Sequence, residues 1–217
     1  MKQVNGWLSQ MGQGLKISCM LMLICGLGFP LVMNGLGAVF FPVQAAGNKV
    51  MVKDQVVGAA HVGQEFSQPY FMKGRPSAVH YNTYREDAEG NQFYLDGSEF
   101  GGLASGSNNL APSNPQLVER VEADIQTFLA AHPGLSREAI PTDLLTASGS
   151  GLDPEISPAA AAVQLPALAK ASNLSETVLR DIVQRNTDGK LLGIFGAERV
   201  NVLAVNIEIA QAMGLIK

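Results

Sequence analysis

The sequence predicts an α+β extracytoplasmic domain, a small sheet with several helices, standing behind one N-terminal transmembrane helix. Three observations carry this fold class. Residues 17–41, "ISCMLMLICGLGFPLVMNGLGAVFF", hold no charged side chain. Short β-rich pieces separated by Gly, Pro and Asn follow from Lys49 onward. The C-terminal half then repeats one plan, a loop of small polar residues leading into an amphipathic helix.

The uncharged run is long enough to cross a bilayer. At ~1.5 Å per residue, its 25 residues make a helix of about 37 Å, against a hydrocarbon core of ~30 Å. It contains twelve Leu, Ile, Phe or Val residues, and at roughly −0.3 to −0.6 kcal/mol each they favour insertion by about 5 kcal/mol. The preceding flank carries Lys2 and Lys16 and no acid. Short cationic flanks stay cytoplasmic, so the predicted organisation is a cytoplasmic tail at 1–14, a transmembrane helix at 15–42 and an extracytoplasmic domain at 43–217. The alternative is a cleaved signal peptide, with Val43 and Ala45 as the small residues before the cut, but the run exceeds the ~7–15 residues of a signal core.

Within the run, Ser18, Cys25, Gly28 and Gly35 are spaced by seven, three and seven. That spacing aligns small side chains on one helical face, which either admits a partner helix or reflects the ordinary abundance of glycine in membrane helices. Pro30 is expected to disturb the helix, because it removes a donor and crowds the preceding turn.

All 19 acids and 13 of the 15 bases lie beyond the run, so the outer domain is near −6. This argues against nucleic acid as a partner and leaves electrostatic attraction of cations as an expectation. Both cysteines, Cys19 and Cys25, sit in the apolar run, so no disulfide staples the domain.

Along the domain, "KVMV" and "QVVGAAHV" read as strands, followed by "PYFMKGRPSAV". Residues 84–100 are acidic and without period, and "DAEGNQFYLDGSE" does not keep the ligand register of a calcium loop. A solvated surface loop is predicted there. Leu117, Val121 and Ile125 mark a helix from Asn114-Pro115 to before Pro133, with Asn114 as its cap. Ser157 and Pro158 start a second, alanine-rich helix that Pro166 must break or kink. A third spans about 175–185. "RVNVLAVNIEIAQAMG" fits both a strand and a helix, and its length favours a helix.

Catalytic signatures are weak. No G-x-S-x-G elbow surrounds a serine, the three histidines His61, His80 and His132 are dispersed, and "GGLASGSNN" lacks the lysine of a phosphate-binding loop. The loops "ASGSNNLAPSNP" and "TASGSGLDPEISP" crowd small side chains at helix starts. They are either anion-binding turns or ordinary capped turns.

The order "YFMKGRPSA", "ASGSNNLAPSNP", "TASGSGLDPEISPAAAAVQLP", "RVNVLAVNIEIA" behind one anchor resembles the C subunit of the Kdp-type potassium-transporting ATPase. The resemblance runs from the anchor to the C-terminus. It departs from the family at Ser105 to Leu110, at Ala167 to Ala169, near Gly196 to Glu198, and in the acidic 84–100 stretch.

The resemblance implies a non-catalytic, single-span subunit of an ATP-driven, high-affinity potassium uptake complex in a bacterial or archaeal inner membrane. Its implied partners are a channel-like potassium-translocating subunit, a P-type ATPase subunit and a very small membrane peptide. It would bind no cofactor itself, leaving ATP and potassium to the partners, and for the family a rise in the ATP affinity of the ATPase subunit has been proposed. A stand-alone, membrane-anchored hydrolase or ligand-binding domain is the alternative. On the matching motifs, Gly74, Arg75 and Pro76 are expected to form a rigid turn presenting a cation, Arg75 with a specific acceptor or else merely solvated. Asn108, Ser113 and Asn114 are expected to cap and order their loop, and Asp153 to sit in a helix-start turn. The small residues Ser18, Cys25, Gly28 and Gly35 become the candidate docking face of the membrane helix.

Overall fold

The uncharged run lies in the second half of a long helical segment. The computed structural model describes residues 2–216, with side chains from Gln10 onward, so Met1, Lys217 and the side chain of the orienting Lys2 lie outside the described residues. Helix α1 covers Lys2–Leu23, a π-helical turn covers Ile24–Gly28, and α2 covers Phe29–Phe40. Helical backbone therefore starts well inside the stretch expected to be a tail. The Gln10–Phe40 portion, 31 residues with mean hydropathy 2.0, is long and apolar enough to cross a membrane by length and composition.

Pro30 explains the π turn. It has no N–H to give the Gly26 carbonyl, and its ring crowds that oxygen. The backbone responds by widening just before it, and the Phe29 N–H reaches back five residues to the Ile24 carbonyl. A single turn, α3 (Pro42–Ala45), follows.

The chain divides into two units at Lys49/Val50. The second begins with a hairpin of β1 (Lys49–Val52) and β2 (Gln55–Ala59). Lys53 and Asp54, with φ of 48° and 62°, form the two-residue left-handed turn that matches strand twist.

Residues 84–100 are largely exposed, as a solvated surface loop requires, but carry a short hairpin in addition. β3 (Tyr84–Glu86) pairs antiparallel with β4 (Gln92–Tyr94), Tyr84 opposite Tyr94. Phe100 folds back to stack on Tyr84 at 4.5 Å and meets Tyr94 edge-on at 5.2 Å. Asp87 closes the turn by accepting from the Glu89 and Asn91 backbone N–H groups. The Asn91 amide and those N–H groups hold its carboxyl below the usual range. A three-ring cluster among acids has too short a period to register as alternation.

The core forms around the C-terminal helices. α4 (Pro115–Ala131) is capped by Asn114, whose side chain accepts from the Gln116 N–H at 2.9 Å. α5 (Pro158–Ala162) is capped by Ser157, and the chain breaks before α6 (Leu165–Ser172), which carries Pro166 in its first turn. α7 (Glu176–Arg185) buries Leu179 and Ile182 but leaves Val178 exposed. The ambiguous last segment is both things in succession: β7 (Arg199–Asn201), then α8 (Val202–Ala212), with the Asn201 side chain capping the helix. β7 is the centre of a three-stranded sheet between β5 (Glu155–Ile156) and β6 (Thr187–Asp188), each pair antiparallel. The domain thus holds three small sheets, and the two-residue strands β5 and β6 are too short to leave a pattern.

Two buried carboxamides tie the irregular middle of the chain to this core. Asn206 of α8 is 2% exposed and clasps Met72, accepting from its N–H at 2.7 Å and donating to its carbonyl at 2.9 Å. Gln164, also 2% exposed, does the same to Lys73 at 2.8 and 3.1 Å, and donates to Ala160 as well. The Met72 side chain is then fully buried. The Lys73 ammonium bonds the Phe66 and Gln68 carbonyls, and burial pulls its pKa down.

Asn206→Ala strips both partners from a buried peptide unit, at about 1–3 kcal/mol for each orphaned group. Urea unfolding of the variant should show a loss of roughly 2–6 kcal/mol, and Asn206→Asp, which turns a buried carboxylate oxygen toward the Met72 carbonyl, should be destabilised at pH 7 as well.

Candidate functional site

Three stretches far apart in sequence, "KGRPSAV", "ASGSNN" and "TASGSGLDP", fold into one knot. Arg75 donates through Nη1 to the Asp153 carboxylate at 3.0 Å, each side chain being 25% exposed. Its other nitrogens reach the Thr146 carbonyl at 3.3 and 3.4 Å. Asp153 in turn accepts from the Glu155 N–H at 3.1 Å. A charge pair this well fixed on both sides is a positioning device.

Beyond Pro76, Ser77 donates to the Gly151 carbonyl at 2.6 Å and accepts from the Val79 and Tyr81 N–H groups at 3.2 and 2.9 Å. The Tyr81 hydroxyl closes the loop by donating to the Arg75 carbonyl at 2.7 Å. Between these bonds the backbone makes a left-handed turn: His80, Tyr81 and Asn82 have φ of 48°, 52° and 53°. Left-handed backbone costs an L-residue about 1–2 kcal/mol, so the surrounding bonds must over-determine it, as at many functional sites. Asn82 supplies a further clasp, accepting from the Ala104 N–H at 3.0 Å and donating to its carbonyl at 2.9 Å.

The two glycine-serine loops are fastened to each other. Gly106 N–H and the Ser105 hydroxyl both donate to the Ser150 carbonyl, at 2.8 and 3.1 Å. Gly151 N–H is taken by the Ser148 hydroxyl, Leu152 N–H by Ser150, and Asn109 N–H by Ser107. Five donors of these loops are thus used within the loops themselves, which ties the turns together. Gly151 has φ of 69°, and a Cβ there would stand 2.7 Å from Val79 and 2.8 Å from the Gly106 carbonyl. Buried Gly63 donates to the Leu152 carbonyl at 2.8 Å, and a Cβ on it would meet the Tyr81 ring and lie 2.5 Å from the Asp153 carbonyl.

Of the residues singled out from sequence, Gly74, Arg75, Pro76 and Asp153 come together. A Cβ on Gly74 would stand 2.9 Å from the Tyr81 hydroxyl. Asp153 serves the turn into β5 in place of the expected helix start, which belongs to Ser157, itself held by Asp143 at 2.7 Å. Asn114 caps α4, whereas the side chains of Asn108 and Ser113 are exposed and take no part in the knot's hydrogen bonds. Ser77, Tyr81, Asn82 and Gly63 were not legible, because none sits in a spacing that marks a role. On the apolar helix, Ser18, Cys25, Gly28 and Gly35 are all exposed, and the π turn lies between Ser18 and Gly35. A Cβ on Gly35 meets nothing within 4 Å, and one on Gly28 only the Leu23 carbonyl at 3.6 Å.

Burial, opposed by Arg75, pushes the Tyr81 phenol up to about 12. The unfolded phenol ionises near 10, so its contribution is intact below pH 10 and is lost as pH rises to 12. Tyr81→Phe should cost about 1 kcal/mol at pH 7 through the lost bond to Arg75. Between pH 10 and 12 its stability should also fall less steeply than the parent's, by about 2 kcal/mol over the range. Urea unfolding at each pH measures both.

Residues 11–211 match the family described as KdpC: K+-transporting ATPase, c chain. The potassium-transporting ATPase KdpC subunit of Clostridium kluyveri is 52% identical over 200 residues, 92% of each chain. That of Clostridioides difficile is 49% identical over 207 residues, 93% of this chain and 97% of its own. That of Caldanaerobacter subterraneus subsp. tengcongensis is 39% identical over 197 residues, 91% and 92% of the two chains. The match spans both the apolar helix and the knot, and the chain belongs to the KdpC family, the c chain of the K+-transporting ATPase.

Proposed function

We propose that the chain is a non-catalytic, single-span subunit that holds together the channel-like and P-type ATPase subunits of a high-affinity potassium uptake complex. The observation that carries this reading is the helix itself. Gln10–Phe40 is apolar enough to span a bilayer, with none of its most apolar window buried. Such a surface is left for lipid and for partner helices. Exposed Ser18, Cys25, Gly28 and Gly35 supply the small side chains, and the tied turns of the knot supply a rigid platform for a second contact.

Lys16 on the N-terminal flank favours a cytoplasmic N-terminus and an extracytoplasmic domain in a bacterial or archaeal inner membrane. The domain would then cover the mouth of the channel-like subunit, with a small membrane peptide as a further partner. ATP and potassium are handled by those partners, and the chain binds no cofactor of its own. Any effect on the ATP affinity of the ATPase subunit passes through the membrane helix or the partners, as a coupling free energy between distant sites. The stand-alone hydrolase reading has nothing to favour it beside relatives named as ATPase subunits.

In a strain that relies on this pump, deleting the gene should abolish growth at micromolar potassium, and unimpaired growth would rule the reading out. Replacing Gly28 and Gly35 together by Leu meets no steric obstacle within the chain. It should lower recovery of the complex in mild detergent about tenfold, while the domain's unfolding stays unchanged. Full recovery would reduce the helix to a tether.

A further inference from the structure

The segment 190–196, "KLLGIFG", forms a hairpin that the rest of the domain does not use. Leu191, Leu192, Ile194 and Phe195 are 70%, 80%, 75% and 62% exposed. No charge occurs from Leu191 to Ala197, and Lys190 stands at the base. Leu192 takes φ of 54°, a conformation that glycine or asparagine adopts more readily. An aliphatic side chain is therefore held at the outermost position against both backbone preference and water.

We propose that this hairpin inserts its apolar tip into the interface of the bilayer that holds the chain's own helix. The proposal rests on the membrane-anchored reading above. Three observations favour lipid over protein as the occupant. First, the tip's backbone is largely self-satisfied. The Leu191 and Phe195 N–H groups exchange bonds with each other's carbonyls at 2.9 and 3.0 Å, Gly193 N–H bonds Lys190 at 3.0 Å, and Ile194 N–H bonds Leu191 at 3.2 Å. A segment entering hydrocarbon must bring its own partners, because lipid offers none. Second, the hairpin springs from the end of the domain where the chain arrives. Asp188 at its base and Val50 of β1 line one cleft of about 470 Å³. Only residues 41–48 separate α2 from β1, four of them coiled into α3, so chain length keeps β1 within about 30 Å of the helix end. Third, Lys190 can lay its stem along the apolar tip with its ammonium among phosphates. The acidic domain speaks against a specifically anionic surface, so a zwitterionic one suffices.

The test uses the full chain in phosphatidylcholine vesicles, with Trp7→Phe to remove the one native tryptophan and Ile194→Trp as the reporter. Acyl chains brominated near the glycerol end should quench its emission at least twofold, with a blue shift relative to Gln126→Trp on the exposed face of α4. Phe195→Trp is the second reporter. Red-shifted, unquenched emission at both places the tip in water and overturns the proposal. Blue-shifted but unquenched emission means a second copy or a protein partner covers it, and overturns it equally. Carbonate-resistant flotation of the same vesicles reads the anchor separately. A chain that floats unquenched loses only the hairpin proposal, whereas one that is stripped off loses the anchored reading and the proposal together.

Discussion

The C-terminal domain depends on carboxamides that stand in for β-strands. Residues 60–83 form little regular structure beyond a short helical turn, yet they pass beside the core, where an unpaired peptide group costs as much as a lost hydrogen bond. Asn206 and Gln164 each present a donor and an acceptor side by side, which is the pattern one residue of a strand offers its neighbour. Met72 and Lys73 are thereby paired without a ladder. Because Asn206 sits on α8 and Gln164 just before α6, the middle of the chain is fixed only when the C-terminal helices are in place. The clasps are what let a segment with no strand partner carry Arg75 and Ser77 to a defined position.

From that fixed point the knot follows. Arg75 can reach Asp153 because Lys73 is pinned two residues earlier, and the Tyr81 hydroxyl returns to the Arg75 carbonyl. The strained left-handed turn at 80–82 persists because Ser77 holds its N-terminal side and the Asn82 clasp on Ala104 holds its far side. Strain held this way persists only while the bonds on both sides of the turn are made.

How much of this was legible follows from the range of each interaction. Capping residues act within three positions, and Asn114, Ser157 and the break before Pro166 were read directly from sequence. The apolar helix was legible from length and charge, as were the two strands on either side of Lys53-Asp54 from their composition. The clasps were not, because Asn206 and Met72 are 134 residues apart and nothing in either's surroundings names the other. β5 and β6, at two residues each, exist only as partners of β7 and have no pattern of their own. At the site, Gly74, Arg75, Pro76 and Asp153 were picked out by resemblance, but the pairing of Arg75 with Asp153 is a tertiary fact. The π turn sits between: Pro30 announces a disturbance, and only the backbone reveals that it is met by widening.

The two units hold their order by different means, and this bears on how a subunit of a K+-transporting ATPase meets its partners. The domain is self-sufficient: its buried polar groups are paired within itself, and no buried side-chain nitrogen or oxygen among the described residues lacks a partner. The helix differs, since none of the most apolar window within Gln10–Phe40 is buried. A rigid body joined through residues 41–48 to a helix whose packing is left to its surroundings responds to a partner by changing position, because its interior has few soft modes to absorb strain. A coupling free energy requires contacts that differ between the partner's states. The places able to make such contacts are therefore the exposed ones, the small residues of the helix and the surface around the knot, and the paired interior serves to keep the knot's own surface in one shape.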